Sequence, residues 1–391
     1  MKRVVYLDNA TTTRLDPIVL EAMKPYMFEW YGAPTHEYGH KLGLKAKEAL
    51  EESRNIIAKS LGAEPEEIIF TSGGTESNNL AIKGLVLSDI YKSKKHIVTS
   101  KIEHMSILNV LRRLERNGFR VSYLNVNNEG FINLEELENV IDDDTLLVSI
   151  QHANQEIGTI QKIKEIGKIC KDNDVFFHVD AVQSYTKAHI DVNEMNIDLL
   201  SISAHKIHGP KGIGALYVRE GVKLRPLLEG GYNEFGLRAG TENVPGAVGF
   251  AKAVEIADES HIRYMKKLRD YLIEGLLRIP YSRLNGPRGD ERLCNNVNLT
   301  FRFIEGESVL LHLDIRGIIV TTGSACFSKT LEPSHVILAL GLRHEDAHGS
   351  IRFSLCRYNT LDEMDYTIEN VKDVVEQLRL ISPVGRNVSS N

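Results

Sequence analysis

The sequence predicts an α/β fold built on a mostly parallel sheet, and two observations carry that expectation. Between Glu67 and Ser203, short apolar runs alternate with segments of helical periodicity. Repeated strand–helix alternation of this kind is the pattern of parallel strands joined by crossovers. In addition, Thr75, His104, Asn154, Asp180, Gln183, Ser203, His205 and Lys206 all fall just past the ends of apolar runs. Open α/β sheets bind ligands outside the carboxyl ends of their strands, so residues far apart in sequence can share one site there.

In chain order, Asp8-Asn9-Ala10-Thr11-Thr12-Thr13 follows a short strand and reads as a turn. Tyr31 to His36 is an irregular loop leading into a helix from about Lys41 to Leu61, whose apolar residues recur at three-to-four spacing, and Gly62 ends it. A strand over Glu67 to Phe70 runs directly into Thr71-Ser72-Gly73-Gly74-Thr75-Glu76-Ser77, and a helix is expected from Asn78 to Leu87. A strand, a small-residue turn and a helix start aim backbone N–H groups at an anion. A glycine pair alone is equally compatible with an ordinary tight turn.

The alternation continues with strands over His96 to Ser100, Arg120 to Val126, Thr145 to Ile150 and Val175 to Val179. The helices between them run over Ser106 to Arg116, from an Asn133 cap with Glu136 placed for a capping box, and over Ile160 to Asp172. A buried strand over Leu199 to Ser203 then delivers Ala204-His205-Lys206, followed by Gly-Pro and further glycines. Burial lowers the pKa of a lysine, which is the condition for an amine that condenses with a carbonyl. On this stretch alone, a surface lysine in a polar loop is an equal alternative. After about Ala257 the pattern changes to helix over Asp258 to Leu277, with short strands at Val297 to Phe301, Ile318 to Thr321 and Ile351 to Leu355. We therefore expect a large domain over residues 14–257 and a smaller α+β domain from residues 1–13 and 258–391.

The 391 residues suffice for two domains, and the formal net charge of -6 gives no general attraction to nucleic acid or anionic membrane. No apolar run reaches the ~20 residues that span a bilayer, and the N-terminus lacks the apolar core of a signal peptide, so a cytoplasmic enzyme is expected. Cys170, Cys294 and Cys356 lie in apolar contexts and read as packed thiols. Cys326 sits instead in the small, polar stretch Thr322-Gly323-Ser324-Ala325-Cys326-Phe327-Ser328-Lys329-Thr330.

An anion cradle, an amine and a carboxylate at strand ends suit one cofactor, pyridoxal 5'-phosphate. The lysine holds its aldehyde and the carboxylate keeps its ring nitrogen protonated. Several motifs then make a resemblance specific. They are Tyr6-Leu7-Asp8-Asn9-Ala10-Thr11-Thr12-Thr13, Phe70 to Asn78, His178-Val179-Asp180-Ala181-Val182-Gln183 and Ser203-Ala204-His205-Lys206. Gly240-Thr241-Glu242-Asn243, Gly323-Ser324-Ala325-Cys326 and Ser350 to Leu355 complete the set. Over nearly its whole length the chain resembles the class V aminotransferase family, fold-type-I pyridoxal-phosphate enzymes, and within it the cysteine desulfurases of the NifS/IscS type.

The resemblance implies a role for each position. Lys206 would carry the cofactor as a Schiff base, His104 would stack on its ring, Asp180 would pair with the ring nitrogen and Gln183 with the ring hydroxyl. Gly74, Thr75, Ser203, Ala204 and His205 would hold the phosphate, and Thr241 would reach it from the second subunit of a homodimer. Asn154 and Arg352 would bind the substrate carboxylate, Arg352 with a bidentate fork rather than as a salt bridge on its strand. Cys326 would take the sulfur of L-cysteine as a persulfide, releasing L-alanine, and its loop would carry the sulfur out to an iron–sulfur scaffold protein of IscU type. The sulfur would serve iron–sulfur cluster assembly and transfer-RNA thiolation, and Cys326 would also be a cluster ligand shared with that scaffold. The alternatives are a selenocysteine lyase or another enzyme of this fold, or a non-catalytic assembly scaffold. The sequence departs from the family pattern at Gly32-Ala33-Pro34, at Tyr232 and Phe235, and at Gln155 and Ala239, where Asn and Ser are more usual.

Overall fold

The computed structural model describes residues 3–34, 39–323 and 333–382. The chain opens with a two-residue strand, β1 (Val5–Tyr6), and helix α1 (Pro17–Phe28), which Asp16 caps by accepting the Ile18 N–H. Helix α2 (Lys41–Leu61) has the bounds its periodicity predicts, and Gly62 ends it at φ 70°, a conformation that costs glycine least. There follow β2 (Ile68–Thr71), α3 (Gly74–Val86), β3 (His96–Ser100), α4 (Met105–Arg116), β4 (Arg120–Leu124) and α5 (Leu134–Val140). Next come β5 (Thr145–Gln151), α6 (Ile163–Asp172), β6 (Phe176–Asp180), β7 (Leu199–Ser203) and β8 (Gly214–Val218). α7 (Val244–Glu255) and α8 (Glu259–Leu276) lead to β9 (Ser282–Leu284), β10 (Asn296–Phe301), α9 (Gly306–Ile315) and β11 (Ile318–Ile319). After residue 333 come α10 (His335–Ala339), α11 (His344–His348), β12 (Ser350–Ser354) and α12 (Leu361–Ile381).

The central sheet has seven strands in the order β2-β8-β7-β6-β5-β3-β4. Every neighbouring pair is parallel except those of β8, which runs antiparallel to both β2 and β7. The register sets Gln151 beside Asp180 and Asp180 beside Ser201, so the strand ends that carry polar residues fall on one edge. β2, β3, β5, β7 and β8 are buried along their whole length, as strands covered on both faces are.

A second sheet, β12-β10-β9, is antiparallel, and β1 pairs in parallel with β11. Val5 and Leu7 are fully buried in the apolar cluster of this second sheet, together with Phe301, Phe353 and Val371. Burying each of those two side chains stabilises the fold by ~1.5–3 kcal/mol, enough to anchor the N-terminal segment among residues more than 250 positions downstream. Cys170, Cys294 and Cys356 are buried free thiols.

Four expectations are corrected. Helix α3 starts at Gly74, not Asn78, because Gly73 at φ 146° caps it and its carbonyl accepts the Ser77 N–H at 3.1 Å. Helix α6 starts at Ile163, not Ile160, because Ile160 bridges Ala153 and gives its N–H to the Glu291 carbonyl. Asn133 does cap α5, but Glu136 accepts from the Asn125 amide at 3.0 Å instead of closing a capping box. Strand β8 was not expected, because the glycines around it read as loop. It returns as a hairpin partner of β7.

Candidate active site

A cavity of about 160 Å³ opens at the carboxyl edge of the central sheet. Its wall includes Gly74, Thr75, His104, Asp180, Gln183, Ser203, His205 and Lys206. The fold therefore brings together eight residues that the sequence leaves spread over more than 130 positions.

At one end of the cavity, α3 begins. A Cβ on Gly74 would stand 2.4 Å from Val182 Cγ2, so only glycine allows this helix start to pack against the turn after β6. The Ser203 hydroxyl is buried and has no partner among the described residues. Leaving a buried donor unsatisfied costs ~1–3 kcal/mol, so an acceptor oxygen from a ligand fits here. His205 flanks it, its Nδ1 3.2 Å from Thr12 Oγ1. Burial, with the Lys206, Lys211 and Lys187 ammoniums, pushes its pKa down to about 4, so the ring is neutral near pH 7.

Also on the wall, Asp180 terminates β6. Its Oδ2 accepts from Asn78 Nδ2 at 2.8 Å and its Oδ1 from the Val182 N–H at 3.0 Å, which fixes the plane of the carboxylate. His104 caps α4, and its Nδ1 accepts the Ser106 N–H at 3.1 Å, which leaves the ring proton on Nε2. Burial holds its pKa below the usual histidine value, with Lys206 adding to the effect and Asp180 opposing it.

Lys206 Nζ donates to the Ala10 carbonyl at 2.5 Å and to the Thr11 carbonyl at 2.7 Å. Burial, then Arg352 and Lys187, pushes its pKa down to about 7, against the pull of Asp8 and Asp180. An amine with a pKa this low has a sizeable neutral fraction near pH 7, and the neutral form is the nucleophile. Gln183 Nε2 reaches the same Ala10 carbonyl at 2.9 Å.

The other candidates lie elsewhere. Asn154 does not line the cavity. Its amide donates to the Ile102 carbonyl at 2.9 Å and accepts from the Glu156 and Ile157 N–H groups. Gln155 lines the wall instead. Ala204 is fully buried, with its N–H given to Ile213 and its carbonyl to Ile207 and Gly209. Thr241 is exposed and does not line this cavity. Arg352 lies behind the wall and does form the salt bridge that was set aside for it. Its Nη2 is 2.9 Å from Asp8 Oδ1 and 2.8 Å from Thr11 Oγ1, and its Nη1 donates to the Gln155 carbonyl at 3.1 Å. Its Nε is buried without a partner among the described residues. Cys326 and the expectations for its loop lie outside the described residues. Asn78, Ser106, Gln151 and Val182 also line the cavity and were missed. Asn78 had a legible signal, since it stands one helical turn after Gly74.

Glu103 joins two edges of the site. It is fully buried, and its carboxyl accepts from Ser100 Oγ at 2.5 Å and from the Gln151 N–H at 2.9 Å, tying the end of β3 to the end of β5. Burial pushes its pKa from 4.5 up to about 8. It thus holds its proton more tightly folded than unfolded, so its stabilising contribution is full below pH 4.5 and is lost as pH rises through 8. Glu103→Gln should therefore match the parent at about pH 5 and melt a few degrees higher at about pH 9. Calorimetry across that range checks it, and parallel curves for the two proteins would refute the buried-acid assignment.

The family model described as aminotransferase class-V matches residues 5–367. The chain belongs to that family. It is 51% identical over 387 residues to the cysteine desulfurase IscS of Dictyoglomus turgidum, covering 98% of this chain and 97% of the relative. Among solved structures it resembles a NifS-like protein with a TM-score of 0.89 at 40% identity, covering 97% of this chain and all of that one. It also resembles SspA in complex with cysteine, with a TM-score of 0.82 at 40% identity, covering 91% of this chain and all of that one. Within the family, the chain falls with the cysteine desulfurases of the NifS/IscS type. This family implies pyridoxal 5'-phosphate. The amine with its lowered pKa, the fixed carboxylate and the orphaned Ser203 hydroxyl beside a helix start fit such a group.

Proposed function

We propose that this enzyme removes sulfur from L-cysteine, releasing L-alanine and carrying the sulfur as a persulfide on Cys326. The observation that carries the reading is the juxtaposition, in one cavity, of the Lys206 amine, the Asp180 carboxylate and the unpartnered Ser203 hydroxyl. Gly74, Thr75, Ser203 and His205 would hold the cofactor phosphate, with Thr241 of the partner subunit completing the cradle in a homodimer. Asp180 would meet the ring nitrogen, Gln183 the ring hydroxyl, His104 the ring face and Lys206 the aldehyde. When bound, the cofactor supplies an electron sink that makes negative charge at the substrate α-carbon tolerable.

The chain's own residues do the rest. Lys206 would be the base placed to take and return the α-proton. Arg352 would bind the substrate carboxylate by exchanging its Asp8 pair for the ligand, its unpartnered Nε offering a further donor. The Cys326 thiolate attacks the substrate sulfur, so that an S–S bond forms as the C–S bond breaks. The carbon left behind takes up protons and departs as L-alanine. An iron–sulfur scaffold protein of IscU type is the acceptor we propose, for cluster assembly in the cytoplasm, with Cys326 as a transient cluster ligand. Among the described residues, no helix is long and apolar enough to cross a membrane.

Incubating the cofactor-loaded protein with L-cysteine and a reducing thiol tests the reading. Alanine and sulfide should appear in equal amounts. Pyruvate, or no product, would overturn it.

A further inference from the structure

Residues 324–332 carry Cys326, and the residues that flank them, Gly323 and Ser334, converge on one atom. Glu156 Oε2 accepts the Ser334 hydroxyl at 2.5 Å. The same oxygen would stand 2.2 Å from a Cβ placed on Gly323, so the upstream flank can approach it only as glycine. Ser334 in turn caps α10 by accepting the Val336 and Ile337 N–H groups. Upstream, Thr321 and Arg352 exchange both backbone hydrogen bonds, at 2.8 and 3.3 Å, which fixes the approach to Gly323.

Glu156 is itself a fixed post. Its N–H is held by Asn154 Oδ1 at 2.8 Å and its carbonyl by Asn296 Nδ2 at 3.0 Å. It directly follows Gln155, which lines the cofactor cavity and whose carbonyl takes Arg352. The side chain is only 4% exposed, and burial raises its pKa to about 7. The Gln155 side chain and the Arg352 charge also favour its ionised form, yet a buried carboxyl is a costly way to fill space. The reaction as derived above gives it no part.

We propose that Glu156 is a positioning residue that ties both flanks of the Cys326 segment to the wall of the cofactor cavity and so sets how the thiol is delivered to the substrate sulfur. The inference rests on the reading of Cys326 as the sulfur acceptor.

The test uses the cofactor-loaded enzyme and the variants Glu156→Ala, Glu156→Gln, Gly323→Ala and Glu156→Ala/Gly323→Ala. Three quantities are read: kcat for alanine release, KM for L-cysteine with the change in visible absorbance it causes, and the rate of Cys326 alkylation by iodoacetamide, followed by mass spectrometry. Misplacing a reacting group by ~1 Å can cost ~100-fold, so Glu156→Ala should lower kcat ~10-fold or more. KM and the absorbance change should stay within about twofold, and the alkylation rate should shift. Glu156→Gln keeps an acceptor for the Ser334 hydroxyl and should recover most of the rate. Gly323→Ala should cost about as much as Glu156→Ala, yet add little on top of it, because its clash is with the carboxylate. Unchanged kcat and alkylation in Glu156→Ala, or full additivity in the double variant, would overturn the proposal. If Glu156→Ala does not fold, Gly323→Ala alone carries the test, and a parental rate with parental alkylation overturns it. Parental alanine release by Cys326→Ser would instead remove the underlying reading of the nucleophile, so the two failures are distinguishable.

Discussion

Lys206→Ala is expected to lose turnover of L-cysteine by at least ~1,000-fold while the protein stays folded. The loss follows from what the amine does. In the proposed reaction it is both the carbonyl-reactive group and the base for the α-proton. Its pKa of about 7 reflects burial and the neighbouring Arg352 and Lys187, and among the described residues no other lysine lines the cavity. Folding should survive, because Nζ contributes only its two bonds to the Ala10 and Thr11 carbonyls. The measurement is alanine release, paired with borohydride reduction and peptide mass analysis. The parent should retain the cofactor mass on the peptide containing residue 206, and the variant should not. Alanine release within tenfold of the parent would show that a different amine serves the reaction.

Cys326→Ser should bind L-cysteine with near-normal affinity and release almost no alanine. The groups proposed to bind the substrate, the cavity wall and Arg352, are chemically unchanged by the substitution. A serine hydroxyl is a weak nucleophile at its free pKa, whereas a thiolate is available near neutrality. The other cysteines offer no substitute. Cys170 and Cys294 are 1% exposed and Cys356 is 8% exposed, and burial raises the pKa of all three thiols. Mass analysis after L-cysteine treatment should find the added sulfur on Cys326 in the parent and nowhere in the variant. A persulfide on Cys170, Cys294 or Cys356, or full alanine production by the variant, would sink the mechanism.

Much of this molecule was legible before its structure. The alternation from β2 to β7 and the polar residues past the strand ends are local signals. Periodicity and turn chemistry report directly on such features, so α2, β3 and eight residues of the cavity wall followed from them. The motif around Lys206 left a surface lysine as an equal alternative, and its chemistry became legible only together with the other strand-end residues. Only the tertiary structure decided which groups those residues meet. The carbonyls that hold Lys206 come from Ala10 and Thr11, nearly two hundred residues upstream, because β1 pairs with β11 and carries that turn to the edge of the other sheet. Arg352 meets Asp8 for the same reason. Whether Asn154 or Gln155 faces the cavity depends on how the chain turns after β5. There the strand's period of two has ended, and hydrogen bonds to Ile102, Glu156 and Ile157 set the direction instead. The convergence of Gly323 and Ser334 on Glu156 has no trace in the sequence, because a contact between residues so far apart is set by the packing of whole elements and not by any local pattern.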